Sequence, residues 1–365
     1  MPAQKIVPEK VTEAVQRCRE GGIVLPTFEQ QRNPENVPAW VLERLKKVGL
    51  WDVDPINLFR ITWKNDPETG LFGKVNYLEL PRELTGVRAR IMGLVGKFFP
   101  TGAHKVGATF GCLVPRLVEG SFNPARHKAV WPSTGNYCRG GAYNCALLKC
   151  HSIAILPREM SRERFEWLES IGSEVIATPG CESNVKEIYD KCWELRNSDP
   201  DVVVLNQFDE FGNGMWHYTV TAPAIKEVLD DVCGSRERLA AFVSATGSAG
   251  TLATGDRLKE FFPWCKVVAS EALQCPTLLE NGFGAHRIEG IGDKHVPWIH
   301  NVRNTDAVVA VDDRIPMALI RLFNEPEGRK YLAERGVAED IVGRLDLLGI
   351  SSVAKLVAAI KTAKW

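Results

Sequence analysis

The stretch KAVWPSTGNY, residues 128–137, joins a short apolar run to a loop of hydroxyl, glycine and amide side chains. The run predicts a strand covered on both faces, because such strands are apolar along most of their length. Behind the loop, Ala142, Cys145 and Leu148 recur at helical spacing. A strand, a loop and a helix in this order form the repeating unit of parallel α/β sheets.

The same alternation continues from residue 128 to the end of the chain. Strand-like runs and helix-like segments take turns, which predicts an α/β protein with parallel sheets. The predicted strands are 128–132, 152–156, 174–178, 201–206, 240–244, 267–270 and 307–311, and the predicted helices are 162–171, 184–195, 224–232, 251–262 and 351–364.

The first hundred residues show no sustained period. Prolines interrupt short apolar pieces throughout, at positions 26, 34, 38, 55, 67 and 81. Proline breaks both helices and strands, so we expect an irregular N-terminal wrap.

Composition limits the classes of function. A chain of 365 residues is long enough for two or three units with their own cores. It carries 45 Lys and Arg against 45 Asp and Glu, which disfavours nucleic acid as a partner. Its apolar runs fall short of the roughly 18 residues that a membrane helix needs, and charges interrupt the first fifteen residues, so we expect a cytoplasmic protein without a membrane partner.

The ten cysteines include no C-x-x-C pair and no Cys and His set at zinc-finger spacing. We therefore expect no structural metal and reduced, buried thiols in place of disulfides.

Three glycine-bearing segments follow strands or open helices, where α/β enzymes bind their ligands. TGAHKVGA at 101–108 places Lys105 at a helix start, where it is either a solvated lysine or an amine nucleophile. PSTGNY at 132–137 is either an anion cradle or a simple capping loop. SATGSAGT at 244–251 is typical of a phosphate loop, although it lacks the Gly-Lys-Ser/Thr ending of a nucleotide-binding P-loop.

The chain carries a lysine segment, an anion cradle and a phosphate loop in this order. In this it resembles the fold type II pyridoxal-phosphate enzymes, in particular the cysteine synthase and cystathionine β-synthase branch. Further similar segments are NQFD at 206–209 with Asn213 and His217-Tyr218, IEGIG at 288–292 and GISS at 349–352. Together they span roughly residues 55–365. DPINL at 54–58 looks like the first strand of that family.

This resemblance implies two open, mostly parallel twisted sheets with helices on both faces, similar to the tryptophan synthase β chain. It implies an N-terminal extension with first strands at 1–84, a small substrate-binding domain at 85–212 and a large cofactor-binding domain at 213–365. It also implies a homodimer that binds pyridoxal 5′-phosphate and an amino-acid substrate.

The resemblance assigns residues by position. Lys105 would hold the cofactor and move the Cα proton of the substrate. Ser351 would face the pyridine nitrogen with a neutral hydroxyl. The phosphate would be bound by Gly247, Ser248, Ala249, Gly250 and Thr251, the cofactor hydroxyl by Asn136, and the substrate by Ser133, Thr134, Gly135, Asn136, Tyr137 and Gln207.

The implied reaction is β-elimination or β-replacement on a cysteine- or serine-like amino acid through an aminoacrylate. A threonine synthase-like or ammonia-lyase-like enzyme and a catalytically silent binding protein are the alternatives. Tyr137 stands where the family has a small threonine, and Lys294-His295 stand where it has small or apolar residues. We expect these three to set substrate choice, with Lys294 and His295 favouring an anionic β-substituent; a solvated rim is the other interpretation of that pair.

Overall fold

The computed structural model describes residues 8–133, 135–180 and 185–365. Within these ranges the strands are β1 Tyr77–Leu80, β2 Ile91–Leu94, β3 Lys128–Pro132, β4 His151–Pro157, β5 Glu174–Thr178, β6 Val202–Val204, β7 Ala241–Ala245, β8 Lys266–Ala272 and β9 Ala307–Val311.

The α-helices of the described ranges are α1 Pro8–Gly21, α2 Phe28–Arg32, α3 Ala39–Leu45, α4 Arg82–Thr85, α5 Lys105–Glu119, α6 Asn136–Leu148, α7 Arg162–Ser170, α8 Val185–Ser198, α9 Phe211–Trp216, α10 Ala222–Val232, α11 Ala253–Phe261, α12 Thr277–Glu280, α13 Arg314–Asn324, α14 Pro326–Glu334, α15 Glu339–Arg344 and α16 Ile350–Thr362. Short 3-10 helices lie at Pro34–Asn36, Pro55–Arg60, Pro100–Gly102, Gly250–Leu252, Val302–Asn304 and Leu345–Leu347, and His217–Thr221 forms a π-turn.

The α/β prediction is confirmed. All seven predicted strands are found, with bounds that differ from the expected ones by a few residues at most. The predicted helices are found as α7, α8, α10, α11 and α16, although residue 184, the expected start of α8, lies outside the described residues.

The chain packs as two compact units. The first comprises the chain up to Lys74 together with Phe98–Val220, and the second comprises Val75–Lys97 and Thr221–Trp365. The second unit therefore includes a segment from early in the sequence. The division into 1–84, 85–212 and 213–365 stays a prediction.

A parallel four-stranded sheet organises the first unit, in the order β5-β4-β3-β6. Its central strands are apolar and buried, with Val130, Ile153 and Ile155 in one cluster under α8. Helix α5 packs against both α6 and α9. At Gly111 a Cβ atom would lie 2.3 Å from the carbonyl oxygen of Gly212, so only glycine allows this close approach of α5 and α9.

The second unit holds a parallel sheet in the order β7-β8-β9 and an antiparallel pair, β1 with β2. Helix α16 packs on the parallel sheet, where Val357 and Ala358 contact Val268, Val309 and Val311. The sequence pattern did not predict the antiparallel pair, because its two strands are only four residues long.

The N-terminal region is more regular than expected, with helices α1, α2 and α3. Thr27 and Gln30 form a capping box at α2, with their side chains accepting from each other's main-chain N–H. The expected first strand at 54–58 is wrong. Asp54 caps a 3-10 helix there by accepting from the N–H of Ile56, and Pro55 occupies its first position.

The sequence predicted neither a membrane-spanning helix nor disulfides. None of the helices in those ranges is both long and apolar enough to cross a membrane. Nine of the ten cysteines fall within the described ranges and all nine are free thiols; Cys181 lies outside them.

Candidate active site

Two neighbouring strands deliver polar side chains to the same edge of the first unit's sheet. Ser133 follows β3, and Gln207 follows β6, which pairs with β3 in parallel. Because the carboxyl ends of parallel strands share one edge, these side chains come together there. Gln207 Nε2 donates to Ser133 Oγ at 3.5 Å, the outer limit of a hydrogen bond.

Lys105, at the first position of α5, reaches the same edge. Its Nζ donates a hydrogen bond to Gln207 Oε1 at 3.1 Å. The structure thus brings together Lys105, Gln207 and Ser133, three of the residues that the sequence selected. Gln207 is itself held in place, because Asn213 Nδ2 donates to its main-chain carbonyl at 3.0 Å.

The backbone before Lys105 is unusual. Thr101 has a φ of 68° and Gly102 a φ of 69°, both in the left-handed region. For a threonine this conformation costs about 1–3 kcal/mol, and strain of this kind is typical of functional sites. Thr101 Oγ1 is buried, and none of the described residues provides it with a hydrogen-bond partner.

The loop between β3 and α6 lies beside Gln207, the hydrogen-bond partner of Lys105. Ser133 Oγ accepts from the N–H of Gly135 at 3.3 Å, and α6 starts at Asn136, which is exposed. Thr134, also predicted to bind substrate, lies outside the described residues. The loop therefore presents a hydroxyl, an exposed amide and the start of a helix, which are donors suited to a carboxylate.

Tyr137 faces inward from this loop. Its side chain is 1% exposed, packs edge-on against Trp131 and donates its hydroxyl to the carbonyl of Leu205 at 3.1 Å. Burial raises the pKa of this phenol well above its usual value. Lys105 Nζ lies 5.8 Å from the ring centre. The predicted effect of Tyr137 on substrate choice stays a prediction.

An ion pair ties α5 to the loop that carries Gln207. Arg116 Nη2 donates to Glu210 Oε1 at 2.8 Å. Burial raises the pKa of Glu210, and the Arg116 charge opposes this shift. Cys112, on the same helix, is fully buried with a pKa raised by burial to about 12, so it is an inert thiol.

The second unit holds the predicted phosphate loop at the carboxyl end of β7. The loop is fixed by Thr246, whose N–H donates to Ser270 O and whose carbonyl accepts from Gly292 N–H, both at 2.8 Å. Ala249 has a left-handed φ of 61°. A Cβ atom at Gly247 would lie 3.3 Å from the Cα of Ile291, so the loop closes against the 290–292 turn.

The hydroxyls at the two ends of this loop meet. Ser244 Oγ and Thr251 Oγ1 are 2.7 Å apart. From there the chain enters a 3-10 turn at Gly250–Leu252 and then α11. A tight loop of small residues that leads into a helix is the usual setting for a phosphate group, because N–H groups and the positive end of the helix dipole face it.

The remaining predicted residues also lie in the second unit. Ser351 and Ser352 occupy the first turn of α16, and Gly349 precedes that turn. Lys294 and His295 are exposed, and Lys294 Nζ lies 5.4 Å from the ring centre of Phe283. Both side chains are accessible, as either interpretation of this pair requires.

The fold and these residues define a class of protein. The chain belongs to the family described as pyridoxal-phosphate dependent enzyme, which matches residues 77–330. The predictions of an enzyme, of its family and of pyridoxal 5′-phosphate as cofactor are thereby confirmed.

Similar curated proteins are cysteine synthases. The chain is 31% identical over 268 residues to a probable cysteine synthase of Bacillus subtilis, covering 73% of this chain and 79% of that protein. It is 30% identical over 266 residues to the cysteine synthase of Staphylococcus aureus, covering 73% and 78%.

Solved structures share the fold. A hydrogen sulfide-producing enzyme from Fusobacterium nucleatum superimposes with a TM-score of 0.62 at 25% identity, covering 75% of this chain and 76% of that one. Cysteine synthase from Entamoeba histolytica gives 0.66 at 22% identity, covering 79% and 80%. The fold type II prediction is confirmed.

The residues present fit this cofactor. Lys105 offers the amine that an aldehyde needs, and the buried hydroxyl of Thr101, which has no hydrogen-bond partner among the described residues, lies in the same segment. The loop at 246–251 is a cradle in which a side chain at position 247 would crowd the turn behind it. Each feature, within its own unit, suits one end of the cofactor: the amine suits an aldehyde, and the loop suits a phosphate group.

Sequence reasoning missed part of the surroundings. Arg139 lies one helical turn after Asn136, and the Nη1 atom of Arg164 lies 3.7 Å from where a Cβ of Gly135 would be. The three-residue spacing from Asn136 could have indicated Arg139. No comparable signal pointed to Arg164, because it reaches the loop from another helix, α7.

Proposed function

We propose that this protein catalyses β-replacement or β-elimination on a cysteine- or serine-like amino acid, in sulfur and amino-acid metabolism. The observation that carries the proposal is the contact of Lys105 with Gln207, and of Gln207 with Ser133, at one edge of the first sheet. An amine that moves a proton and donors that hold a carboxylate are what such a reaction requires. The similarity to named cysteine synthases supports the same conclusion.

When bound, pyridoxal phosphate supplies an electron sink for the carbanion at the substrate's Cα. In this proposal Lys105 holds the aldehyde end of the cofactor, and its Nζ carries the proton that leaves Cα. Asn136 contacts the cofactor hydroxyl. The residues 247–251 bind the phosphate arm.

The substrate's carboxylate takes its donors from the loop after β3, that is from Ser133, Thr134, Gly135 and Asn136, and from the Gln207 amide. These donors fix the orientation of the Cα–H bond. In the resting geometry Gln207 accepts from Lys105, which keeps the amine at this edge of the sheet.

Ser351 supports elimination over transamination. A neutral hydroxyl at the pyridine nitrogen leaves that nitrogen unprotonated and makes the ring a weaker electron sink than an aspartate would. This role rests on the family resemblance of Gly349-Ile350-Ser351-Ser352 and on the position of Ser351 in the first turn of α16.

A cytoplasmic location and a homodimer belong to this proposal as well. Nine free thiols among the described residues are typical of a reducing compartment. Light scattering of the purified protein tests the dimer, and fractionation of the source cells tests the location.

A substrate panel tests the reaction. The purified holoenzyme is incubated with O-acetyl-L-serine plus sulfide, with L-cysteine, with L-serine or L-threonine, and with O-phospho-L-homoserine. We expect cysteine formation or sulfide release. Ammonia release from L-threonine alone, or phosphate release from O-phospho-L-homoserine alone, would favour the ammonia-lyase-like or threonine synthase-like alternative and overturn the proposal.

Lys105→Ala tests the residue assignment. We expect loss of turnover together with loss of the covalent link between cofactor and protein, because the variant has neither the anchor nor the base. Borohydride reduction and peptide mapping locate the link directly. Lys47→Ala, a change at an exposed lysine of the same unit, serves as the control. Cofactor found on a lysine other than Lys105 would refute the assignment.

A further inference from the structure

Thr101, in the segment that leads to Lys105, combines two unfavourable features. Its φ of 68° lies in the left-handed region, which suits a β-branched side chain poorly because its Cβ crowds the backbone there. The side chain is 2% exposed, and none of the described residues offers its Oγ1 a hydrogen bond, although a buried hydroxyl without one is destabilising. Glycine at this position would avoid both features, so the stability of the fold does not explain the threonine.

The other left-handed residues show how unusual this one is. In the described ranges four residues other than glycine have a φ in that region. Lys149 and Asn281 follow the last turns of α6 and α12, where a left-handed residue is common. Thr101 and Ala249 lie in the predicted lysine segment and the predicted phosphate loop, and Thr101 alone of the four is β-branched. Strain of this kind, held in place by the surrounding structure, is typical of ligand sites.

The backbone on both sides of Thr101 is held in place. Before it, the carbonyl of Phe98 accepts a hydrogen bond from Asn65 Nδ2 at 2.8 Å. After it, the N–H of Gly102 donates to the carbonyl of Phe99 at 2.9 Å, which closes a turn around the threonine. These bonds keep Thr101 in the left-handed conformation.

The start of α5 is held independently. Thr109 Oγ1 donates to the carbonyl of Lys105 at 3.2 Å, and Asn144 Nδ2, on α6, donates to the carbonyl of Val106 at 2.8 Å. Thr101 lies four residues before Lys105, so its turn connects two fixed points of the first unit. The segment therefore cannot relax the strain by shifting the helix.

We propose that Thr101 is a ligand-binding residue of the lysine segment, and that its hydroxyl donates a hydrogen bond to an anionic oxygen of the cofactor or of the substrate. The inference rests on the proposed function and adds a residue to its site. Hydroxyl donors bind charged oxygens more strongly than neutral ones. The bond gives the buried hydroxyl its partner, so ligand binding offsets part of the strain in the segment.

Two titrations identify the source of the acceptor oxygen. The full-length protein, freed of cofactor, is titrated with pyridoxal phosphate. The loaded protein is titrated with L-alanine, which has a carboxylate and no leaving group at Cβ. The absorbance of the cofactor reports both dissociation constants. Neither titration requires turnover, so the inference is decided even if the proposed reaction fails.

Three variants separate the hydroxyl from the shape and the backbone of Thr101. Thr101→Val keeps the shape without the hydroxyl, Thr101→Gly removes both the hydroxyl and the strain, and Thr101→Ser keeps the hydroxyl. We expect the valine and glycine variants to bind the ligand about tenfold to a hundredfold more weakly, and the serine variant to stay within about threefold of the parent. A weaker affinity for pyridoxal phosphate assigns the acceptor to the cofactor, and a weaker affinity for L-alanine alone assigns it to the substrate carboxylate.

Thr85→Val is the matched control. The hydroxyl of Thr85 is also buried and without a partner among the described residues, but Thr85 lies in helix α4 of the second unit and has no left-handed backbone. We expect this variant to bind both ligands as the parent does.

The melting temperature tests the strain separately. Without cofactor, Thr101→Gly should melt at the same temperature as the parent or higher, because it lacks the strained side chain and the unpaired hydroxyl. This variant also keeps the test valid if Thr101→Val does not fold.

Three outcomes would overturn the inference. Parent-like affinity for both ligands in Thr101→Val and Thr101→Gly would mean that the hydroxyl binds neither. Equal losses in the serine and valine variants would mean that the shape of the side chain matters and its hydroxyl does not. A cofactor-free Thr101→Gly that melts well below the parent would mean that Thr101 stabilises the fold.

Discussion

Gln207 accepts a hydrogen bond from the Lys105 amine through its Oε1 and extends its amide nitrogen toward Ser133, so a single side chain faces both the base and the carboxylate donors. We expect Gln207→Ala to lower kcat/KM about tenfold, the equivalent of one lost hydrogen bond to a charged group. Gln207→Glu should cost more, because a carboxylate there repels the substrate's own. Steady-state assays measure both, with exposed Gln16→Ala as the control. A Gln207→Glu variant as active as the parent would contradict this role.

Ser351 and Ser352 offer two hydroxyls in one turn of α16, and Ser351 is the predicted partner of the pyridine nitrogen. We expect Ser351→Ala to retain the cofactor and slow elimination about tenfold, while Ser351→Asp shifts the absorbance spectrum by protonating the ring. Ser352→Ala is the matched control. If Ser352→Ala, and not Ser351→Ala, slows the reaction and changes the spectrum, then Ser352 and not Ser351 is the partner of the pyridine nitrogen.

Lys294 and His295 are predicted to favour an anionic β-substituent. In the Lys294→Ala, His295→Ala double variant we expect kcat/KM to fall roughly tenfold or more for O-phospho-L-serine and to change little for O-acetyl-L-serine. Both side chains are exposed, so the double variant should fold normally. Equal losses on the two substrates would assign the pair a structural role.

Arg60 is a buried cation that holds the N-terminal region together. Its guanidinium donates to the carbonyls of Val48, Gly70 and Leu45 at 2.6 to 2.9 Å. We expect Arg60→Met to lower the free energy of unfolding by about 3 kcal/mol or more, since several buried acceptors lose their donor. Arg44→Ala, which breaks a solvent-accessible pair with Asp54, should cost at most about 1 kcal/mol. Urea titrations compare the free energies of unfolding of the two variants. Similar losses in both would contradict the stabilising role of the buried Arg60.

Stability should fall as the pH drops below the ordinary histidine pKa of 6.5. Burial lowers the pKa of His286 and of His300 below that value. Between the lowered pKa of each histidine in the folded protein and its ordinary pKa in the unfolded chain, the unfolded chain binds protons that the folded chain does not. The free energy of unfolding therefore rises with pH across this window and reaches its full value above it. His300→Gln should reduce the slope of stability against pH, by at most about 1.4 kcal/mol per pH unit.

Urea midpoints at pH 5.5 and 7.5 measure this slope. His295→Gln, at an exposed histidine nearby in the sequence, is the control and should leave it unchanged. The same slope in parent and His300→Gln would rule out His300 as the titrating group.

The sequence was most informative where physical constraints are local. Short apolar runs between helix-length segments predicted strands, and the bounds of β3, β5 and β9 were predicted as found, although β5 and β9 are edge strands of their sheets. Ser133 and Gln207 follow strands β3 and β6, and Lys105, at the start of α5, contacts Gln207 at the same sheet edge.

At other positions, contacts between residues that are not neighbours in the sequence determine the local structure. Asp54-Pro55 reads equally as a strand start or a helix cap, and the buried amide of Asn57 settles it as a 3-10 turn by bonding Gly49 and Asp52. The inward direction of the Tyr137 hydroxyl depends on Leu205, far away in the sequence. Periodicity carries no information on such pairs.

The interleaving of the two units sets an order for synthesis on the ribosome. Trp216 Nε1 donates to Gln31 Oε1 across 185 positions, and Arg344 Nη2 donates to Tyr77 O across 267. Helix α2 therefore lacks this partner until residue 216 has been synthesised, and β1 lacks its partner until residue 344 has been synthesised. A nascent chain released before these residues are made would leave α2 and β1 without these partners. Truncated translation products of this protein should therefore be substrates for chaperones and proteases.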